Sequence, residues 1–124
     1  MFDLIIIGAG PAGITASVYA ARKKMEFLVI TKDIGGQAAW SGEIENYTGY
    51  QFITGPELVA KFEEHIRKYG IQVKENERVV ELKRRDEGVS IKTDKGVYEA
   101  KTAVIASGKR SKELGVPGEV EFKN

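Results

Sequence analysis

The most constraining stretch of this chain is "DLIIIGAGPAGITASVYAARKK", which begins at Asp3. Leu4 to Ile7 is an unbroken, largely β-branched apolar run that strikes a glycine cluster directly. Apolar on both faces, it suits a buried strand of a parallel sheet. A helix is predicted from about Pro11 to Lys24, because proline is tolerated in a first helical turn and "ASVYAARKK" has high helix propensity. Its basic end, Arg22-Lys23-Lys24, suits the negative pole of the helix dipole. Phe27 to Thr31, "FLVIT", is a second apolar run, so strand, helix and strand follow one another within the span of a βαβ unit.

Gly8, Gly10 and Gly13 form G-x-G-x-x-G in the context this motif requires, between strand and helix. The first glycine allows a tight turn. The second lets backbone approach a pyrophosphate, and the third lets helix pack closely on strand. The helix start then offers free N–H groups and a positive dipole end. Glycines that merely end a strand are the bland alternative, and the flanking elements argue against it. Units that bind NAD usually carry an acid at the end of the second strand. Here Thr31 occupies that place, Lys32 follows, and Asp33 comes slightly late.

Composition removes several other functions. At 124 residues the length fits one domain. A net charge of +1 gives no field that favours nucleic acid or an anionic membrane. The absence of cysteine excludes disulfides and thiolate metal sites within this sequence, and the single histidine, His65, cannot build a metal site unaided. His65 sits among Glu63, Glu64 and Arg67, where a solvated role is expected. No nucleophile triad or paired carboxylates are available, so no catalytic side chain and no metal ligand is named. No apolar run approaches bilayer length, and the start lacks a signal-peptide pattern, so a cytoplasmic protein is expected.

Further along, "DIGGQAAWSGEIENYTGYQFITG" has no clean period and holds Gly35, Gly36, Gly42, Gly49 and Gly55, which predicts a long loop. Its Trp40, Tyr47, Tyr50 and Phe52 argue against disorder. The amides of Gln37 and Asn46 suit a ring system with alternating carbonyl and N–H groups, although ordinary turn chemistry is the safer reading of these residues alone. Trp40 and Tyr47 suit either stacking on a cofactor or packing of the loop. "TGPELVAKFEEHIRKYG" is the clearest helix: Thr54 and Glu57 have capping-box spacing, Leu58, Phe62, Ile66 and Tyr69 share a face, and Gly70 ends it. Ile71 to Val73 is expected to be a third parallel strand. "VVELKRR", "GVSIKT" and "GVYEA" read as a small antiparallel meander, and "TAVIASG" as a last buried strand. The fold class is therefore α/β: a Rossmann-like dinucleotide-binding fold with a parallel sheet and a small antiparallel β-meander.

Taken in order, "DLIIIGAGPAGITASVYAARKK", "ITKDIGGQ", "IENYTGY", "AVIASG" and "LGVPGE" resemble the N-terminal part of thioredoxin reductases and of the flavoprotein subunit of alkyl hydroperoxide reductase. The resemblance runs the length of the chain. G-x-G-P-A-G is common to many flavoproteins, whereas GGQ followed by ENY at this spacing is more specific. The resemblance implies FAD as the cofactor. Gly8, Gly10, Pro11, Ala12 and Gly13 would bind the pyrophosphate, and Thr31 and Lys32 would lie at the adenosine end. Gly35, Gly36 and Gln37 would follow the ribityl chain, and Asn46 would reach toward the flavin. Arg78 or Val79 would meet adenine through backbone, and Ala106, Ser107 and Gly108 match the family's Ala-Thr-Gly, with serine for threonine. Thr48 stands where proline is common.

In that family an NAD(P)H domain with its own glycine motif and a C-x-x-C is inserted after "GVPGE", and a later segment completes the flavin site. Residues 1–113 are thus expected to be the N-terminal segment of an FAD-binding domain, and 114–124 an exit linker toward an NAD(P)H domain. The expected parent is an NAD(P)H-dependent disulfide oxidoreductase with a thioredoxin-like acceptor, in which this piece alone would not turn over. The rivals are a nucleotide-binding module that acts by association, including as a homodimer, a ferredoxin–NADP reductase-type flavoprotein, and an enzyme that uses NAD directly at Gly8 to Gly13.

Overall fold

The opening apolar run forms strand β1 (Phe2–Ala9), followed by helix α1 (Pro11–Arg22) and strand β2 (Phe27–Ile34). The structure is a computed structural model and describes residues 1–36, 39 and 42–108. After β2 come two short strands, β3 (Glu43–Ile44) and β4 (Ile53–Thr54), helix α2 (Gly55–Tyr69), and strands β5 (Val73–Lys74), β6 (Val79–Arg85), β7 (Gly88–Thr93) and β8 (Val97–Ile105). The main sheet has the order β5-β2-β1-β8-β7-β6. β5, β2, β1 and β8 run parallel, while β7 and β6 continue antiparallel from β8.

Where the structure departs from the sequence expectation, the cause is local. α1 ends at Arg22 rather than Lys24, because Lys24 takes a left-handed conformation at φ 56°. The Lys24 N–H then bonds to Ala21 O and the Met25 N–H to Ala20 O, which closes the helix. β2 continues three residues beyond Thr31, to Ile34. The third parallel strand is shifted to Val73–Lys74, and Ile71 instead packs into the core just before it. The long loop carries the β3–β4 pair, in which Ile44 faces Ile53.

The runs expected as two strands, "GVYEA" and "TAVIASG", are one nine-residue strand, β8. Its first half pairs antiparallel with β7 and its second half parallel with β1; Ala100 is opposite both Val89 and Phe2. The meander consequently shares a strand with the parallel sheet.

Both faces of that sheet are covered. Leu4, Ile6 and Val29 pack with Ile14 and Ala20 of α1 and with Leu58 and Phe62 of α2. On the other face Ile5, Leu28 and Ile30 pack with Ile91 and Ala100 of the meander. Ile5, Ile6, Leu28 and Ile30 are at most 1% exposed, and burying each such side chain contributes about 1.5–3 kcal/mol. This is why the strands read as continuous apolar runs. The N-cap half of the α2 capping box forms: the Thr54 hydroxyl oxygen accepts from the Glu57 N–H at 3.3 Å, while the Glu57 carboxylate accepts from the Thr54 hydroxyl at 2.7 Å rather than from the Thr54 N–H. Among the described residues no helix is long and apolar enough to cross a membrane.

Candidate dinucleotide-binding site

Three glycine-bearing turns meet at the carboxyl ends of adjacent parallel strands. The first follows β1. Gly8 has φ 107°, and a Cβ there would overlap the carbonyl of Ala106. A Cβ on Gly13 would overlap the carbonyl oxygen of Gly8, so the third glycine lets α1 lie against β1. Gly10 differs. Its φ is −79°, and among the described residues a Cβ would meet nothing nearer than Gly35 O at 3.7 Å. Packing does not demand glycine there, so a bare backbone at Gly10 keeps the adjacent space open.

The second turn follows β2. Gly35 donates its N–H to Ala9 O at 2.7 Å, and both it and Gly36 have positive φ. A Cβ on Gly35 would strike Val59 of α2, while one on Gly36 would sit 3.4 Å from Gly10 Cα. The third turn follows β8: Ala106 donates to Ile7 O at 2.8 Å, Ser107 is exposed, and Gly108 has φ 67°.

Into this crevice points the start of α1. Gly10 is its N-cap without a side-chain cap, Pro11 lacks an N–H, and the first turn holds no acid. The first backbone bond that closes the turn runs from Ile14 N to Gly10 O at 3.0 Å. The N–H groups of Ala12 and Gly13 therefore have no intrahelical acceptor, and they present the positive end of the helix dipole. Together with glycine turns that allow close approach, this arrangement suits a phosphate pair. The chain departs from β1 to β2 on one side and returns as β8 on the other, which is the switch point where open α/β sheets bind ligands.

Thr31 and Lys32 lie at the end of β2, beside the segment that leads into β6. The Asn76 N–H bonds to Lys32 O at 3.1 Å and the Glu77 N–H to Thr31 O at 3.0 Å. The Thr31 side chain is buried and its hydroxyl donates to Asp33 O, whereas Lys32 is exposed. Arg78 and Val79 follow at once. Both backbone groups of Arg78 are engaged by Asp94, with N–H to Oδ1 at 3.1 Å and C=O from the Asp94 N–H at 3.0 Å. Val79 is half-buried and faces Thr93 across the β6–β7 ladder.

The structure thus gathers Gly8, Gly10, Pro11, Ala12, Gly13, Gly35, Gly36, Ala106, Ser107 and Gly108 into one crevice, with Thr31, Lys32, Arg78 and Val79 along its continuation. Asn46 is exposed after β3 and has no described contact with the glycines. Gln37, Trp40 and the segment 109–124, with the expected linker, lie outside the described residues. Tyr47 packs against Phe62, with ring centroids 6.4 Å apart, so its packing role is realised. His65 is exposed on α2 and meets Tyr69 edge-on at 6.5 Å. Among the described residues no cluster of His, Cys, Asp and Glu could hold a metal ion. An open depression bounded by Phe2, Met25, Phe27, Tyr69 and Gly70 lies at the other end of the strands.

Sequence reasoning missed two residues that shape this end of the sheet. Val59 seats Gly35, and Glu77 joins β2 to the meander. Glu77 lies in the polar run "KENER", which resembles any solvated connection.

The profile of the pyridine nucleotide-disulphide oxidoreductase family matches residues 2–124. A thioredoxin reductase of Bacillus subtilis is 42% identical over 98% of this chain and 39% of its own length. An NADH dehydrogenase of Ferdinandcohnia aciditolerans is 37% identical over 99% of this chain and 24% of its own length. The crystal structure of Lactococcus lactis thioredoxin reductase superposes with a TM-score of 0.89 at 36% identity, covering 98% of this chain and 40% of that one. The chain therefore spans two fifths or less of the length of these relatives.

Proposed function

Since the chain belongs to the pyridine nucleotide-disulphide oxidoreductase family, we propose that its glycine crevice holds FAD in a thioredoxin-reductase-like enzyme. In the whole protein, electrons would pass from NAD(P)H to a disulfide on a thioredoxin-like acceptor. The observation that carries this reading is the open face at Gly10, a glycine that protein packing does not require, set against Gly36 and the uncapped start of α1.

The donor set fits the cofactor. The N–H groups of Ala12 and Gly13 would bind the pyrophosphate, with Gly8, Gly10 and Pro11 shaping the turn that admits it. Gly35, Gly36 and Gln37 would line the ribityl chain, and Asn46 would meet the flavin. Thr31, Lys32, Val79 and Arg78 would border the adenosine, with Arg78 contributing the free lone pair of its carbonyl. Ala106, Ser107 and Gly108 would close the crevice beside Gly8. When bound, FAD supplies hydride acceptance and onward electron transfer, chemistry that no side chain here provides. The chain's own contribution is placement: fixed N–H dipoles for the phosphates and a dry sheet beneath them.

Supplying FAD to the purified protein tests the reading. Uptake with a visible flavin band that survives desalting is expected. A chain that stays colourless with excess FAD would overturn binding by these residues. A competing titration with NAD(P)H addresses the alternative in which nicotinamide nucleotide occupies Gly8 to Gly13; displacement of FAD only at far higher NAD(P)H concentration is expected.

A further inference from the structure

Glu77 is a buried carboxylate, 4% exposed, with no cation within ion-pair distance among the described residues. Its partners are hydroxyls. The Thr93 hydroxyl donates to Glu77 Oε2 at 2.6 Å, and the Tyr98 phenol lies against the same carboxylate, which pushes the phenol's pKa up. The Thr93 oxygen in turn accepts from the N–H groups of Lys95 at 3.0 Å and Gly96 at 3.1 Å, so it organises the β7–β8 turn. The Glu77 backbone points the other way, its N–H bonded to Thr31 O at the end of β2. A single residue therefore clamps the turn of the meander to the strand end that borders the crevice.

Stability alone does not explain a buried carboxyl group here. Burying one without a cation is unfavourable, and the Thr93 hydroxyl compensates it only partly. What the carboxylate does is hold the segment 76–79 in register. That segment begins at Asn76, with φ 57°, and its Arg78 is fixed only through Asp94 of the same meander turn. Without the carboxylate, the segment would keep its two backbone bonds to β2 and the Arg78–Asp94 bonds, but would lose the side-chain tie between the strand end and Thr93.

We propose that Glu77 is a positioning residue that pre-orders the adenosine end of the crevice through Thr93, without touching the ligand. This rests on the FAD reading above. Pre-ordering reduces the cost of binding only for the ligand part that meets the ordered segment. The effect must therefore split by ligand half. In the full chain, Glu77→Ala is expected to weaken FAD and ADP by a similar factor, on the order of tenfold, the size of a lost hydrogen bond to a charged group. FMN, which lacks the adenosine, should bind as it does to the parent. Glu77→Gln keeps the shape and one acceptor, and should recover part of the ADP affinity.

Titrations with FAD, ADP and FMN on the parent and both variants, with melting temperature measured alongside, decide the matter. An equal loss for FMN and ADP would mean a general loss of structure and would overturn the proposal. So would unchanged ADP affinity in both variants. If the parent binds neither FAD nor ADP, the cofactor reading falls and takes this proposal with it. If the parent binds and the variants do not differ from it, the proposal alone falls.

Discussion

At the scale of single residues, the three glycines of the motif perform separable tasks. Gly8 and Gly13 are required by protein atoms, since a Cβ at either would overlap backbone carbonyl groups. Gly10 has an ordinary φ and room for a methyl group. Gly8→Ala and Gly13→Ala are therefore expected to lower stability by about 2–4 kcal/mol, read from urea unfolding. Gly10→Ala should stay within about 0.5 kcal/mol of the parent. Its deficit should appear instead as a loss in FAD affinity of at least about tenfold, or 1.4 kcal/mol, because the methyl group fills the space beside the phosphates. A Gly10→Ala protein with parental FAD affinity would sink the assignment of the crevice. The motif was legible because each glycine answers to backbone geometry that strand and helix spacing imply. Glu77 was not, because its burial depends on Thr93, which lies sixteen residues away and is brought alongside only by the closed meander.

At the scale of elements, the two helices end in the same motif with different residues. α2 ends with Gly70 at φ 61°, its N–H bonded to Arg67 O and the Ile71 N–H to Ile66 O. α1 repeats these bonds around Lys24 at φ 56°. Among the described residues a Cβ on Gly70 meets nothing within 4 Å, so the left-handed conformation is the obstacle they set to a side chain there. Lys24→Gly is expected to stabilise by up to about 1 kcal/mol and Gly70→Ala to destabilise by about 1 kcal/mol, compared by denaturant midpoint at constant slope. Equal midpoints for Lys24→Gly and the parent would show that Lys24 carries no strain. Gly70 made the end of α2 legible. The end of α1 was read two residues late because lysine is a good helix former and gives no stop signal. β8 was divided for a related reason. Lys101 and Thr102 interrupt its apolar pattern, yet the strand continues because its halves pair with different neighbours. The β3–β4 pair was hidden because each strand has only two residues, too few to show a period.

At the scale of the whole molecule, the sheet has a glycine-turn end and a fastening end. The glycine turns occupy the carboxyl ends of β2, β1 and β8. At the amino ends Asp3 ties the same three strands together. Its Oδ2 accepts from the Glu26 N–H at 3.0 Å, its Oδ1 meets Lys101 Nζ at 3.1 Å, and its carbonyl accepts from the Thr102 hydroxyl at 2.8 Å. The Glu26 N–H first, and then Lys101, hold the Asp3 carboxyl below its usual value of 3.8. A carboxyl with a lowered folded value stabilises the fold above the unfolded value, and that contribution is lost as pH falls through the lowered one. Asp3→Asn should therefore lower the melting temperature at neutral pH, with the difference from the parent shrinking below about pH 4 as the parent's Asp3 carboxylate takes up its proton. Among the described residues the two ends share no hydrogen-bonding partner, so effects at one should add to effects at the other rather than couple. FAD affinity of Asp3→Asn at neutral pH should accordingly match the parent, and FAD should raise both melting temperatures by similar increments. A melting difference that persists undiminished at low pH would remove the carboxylate from the account. A drop in FAD affinity would mean that the strands transmit strain from the fastening end to the glycine turns.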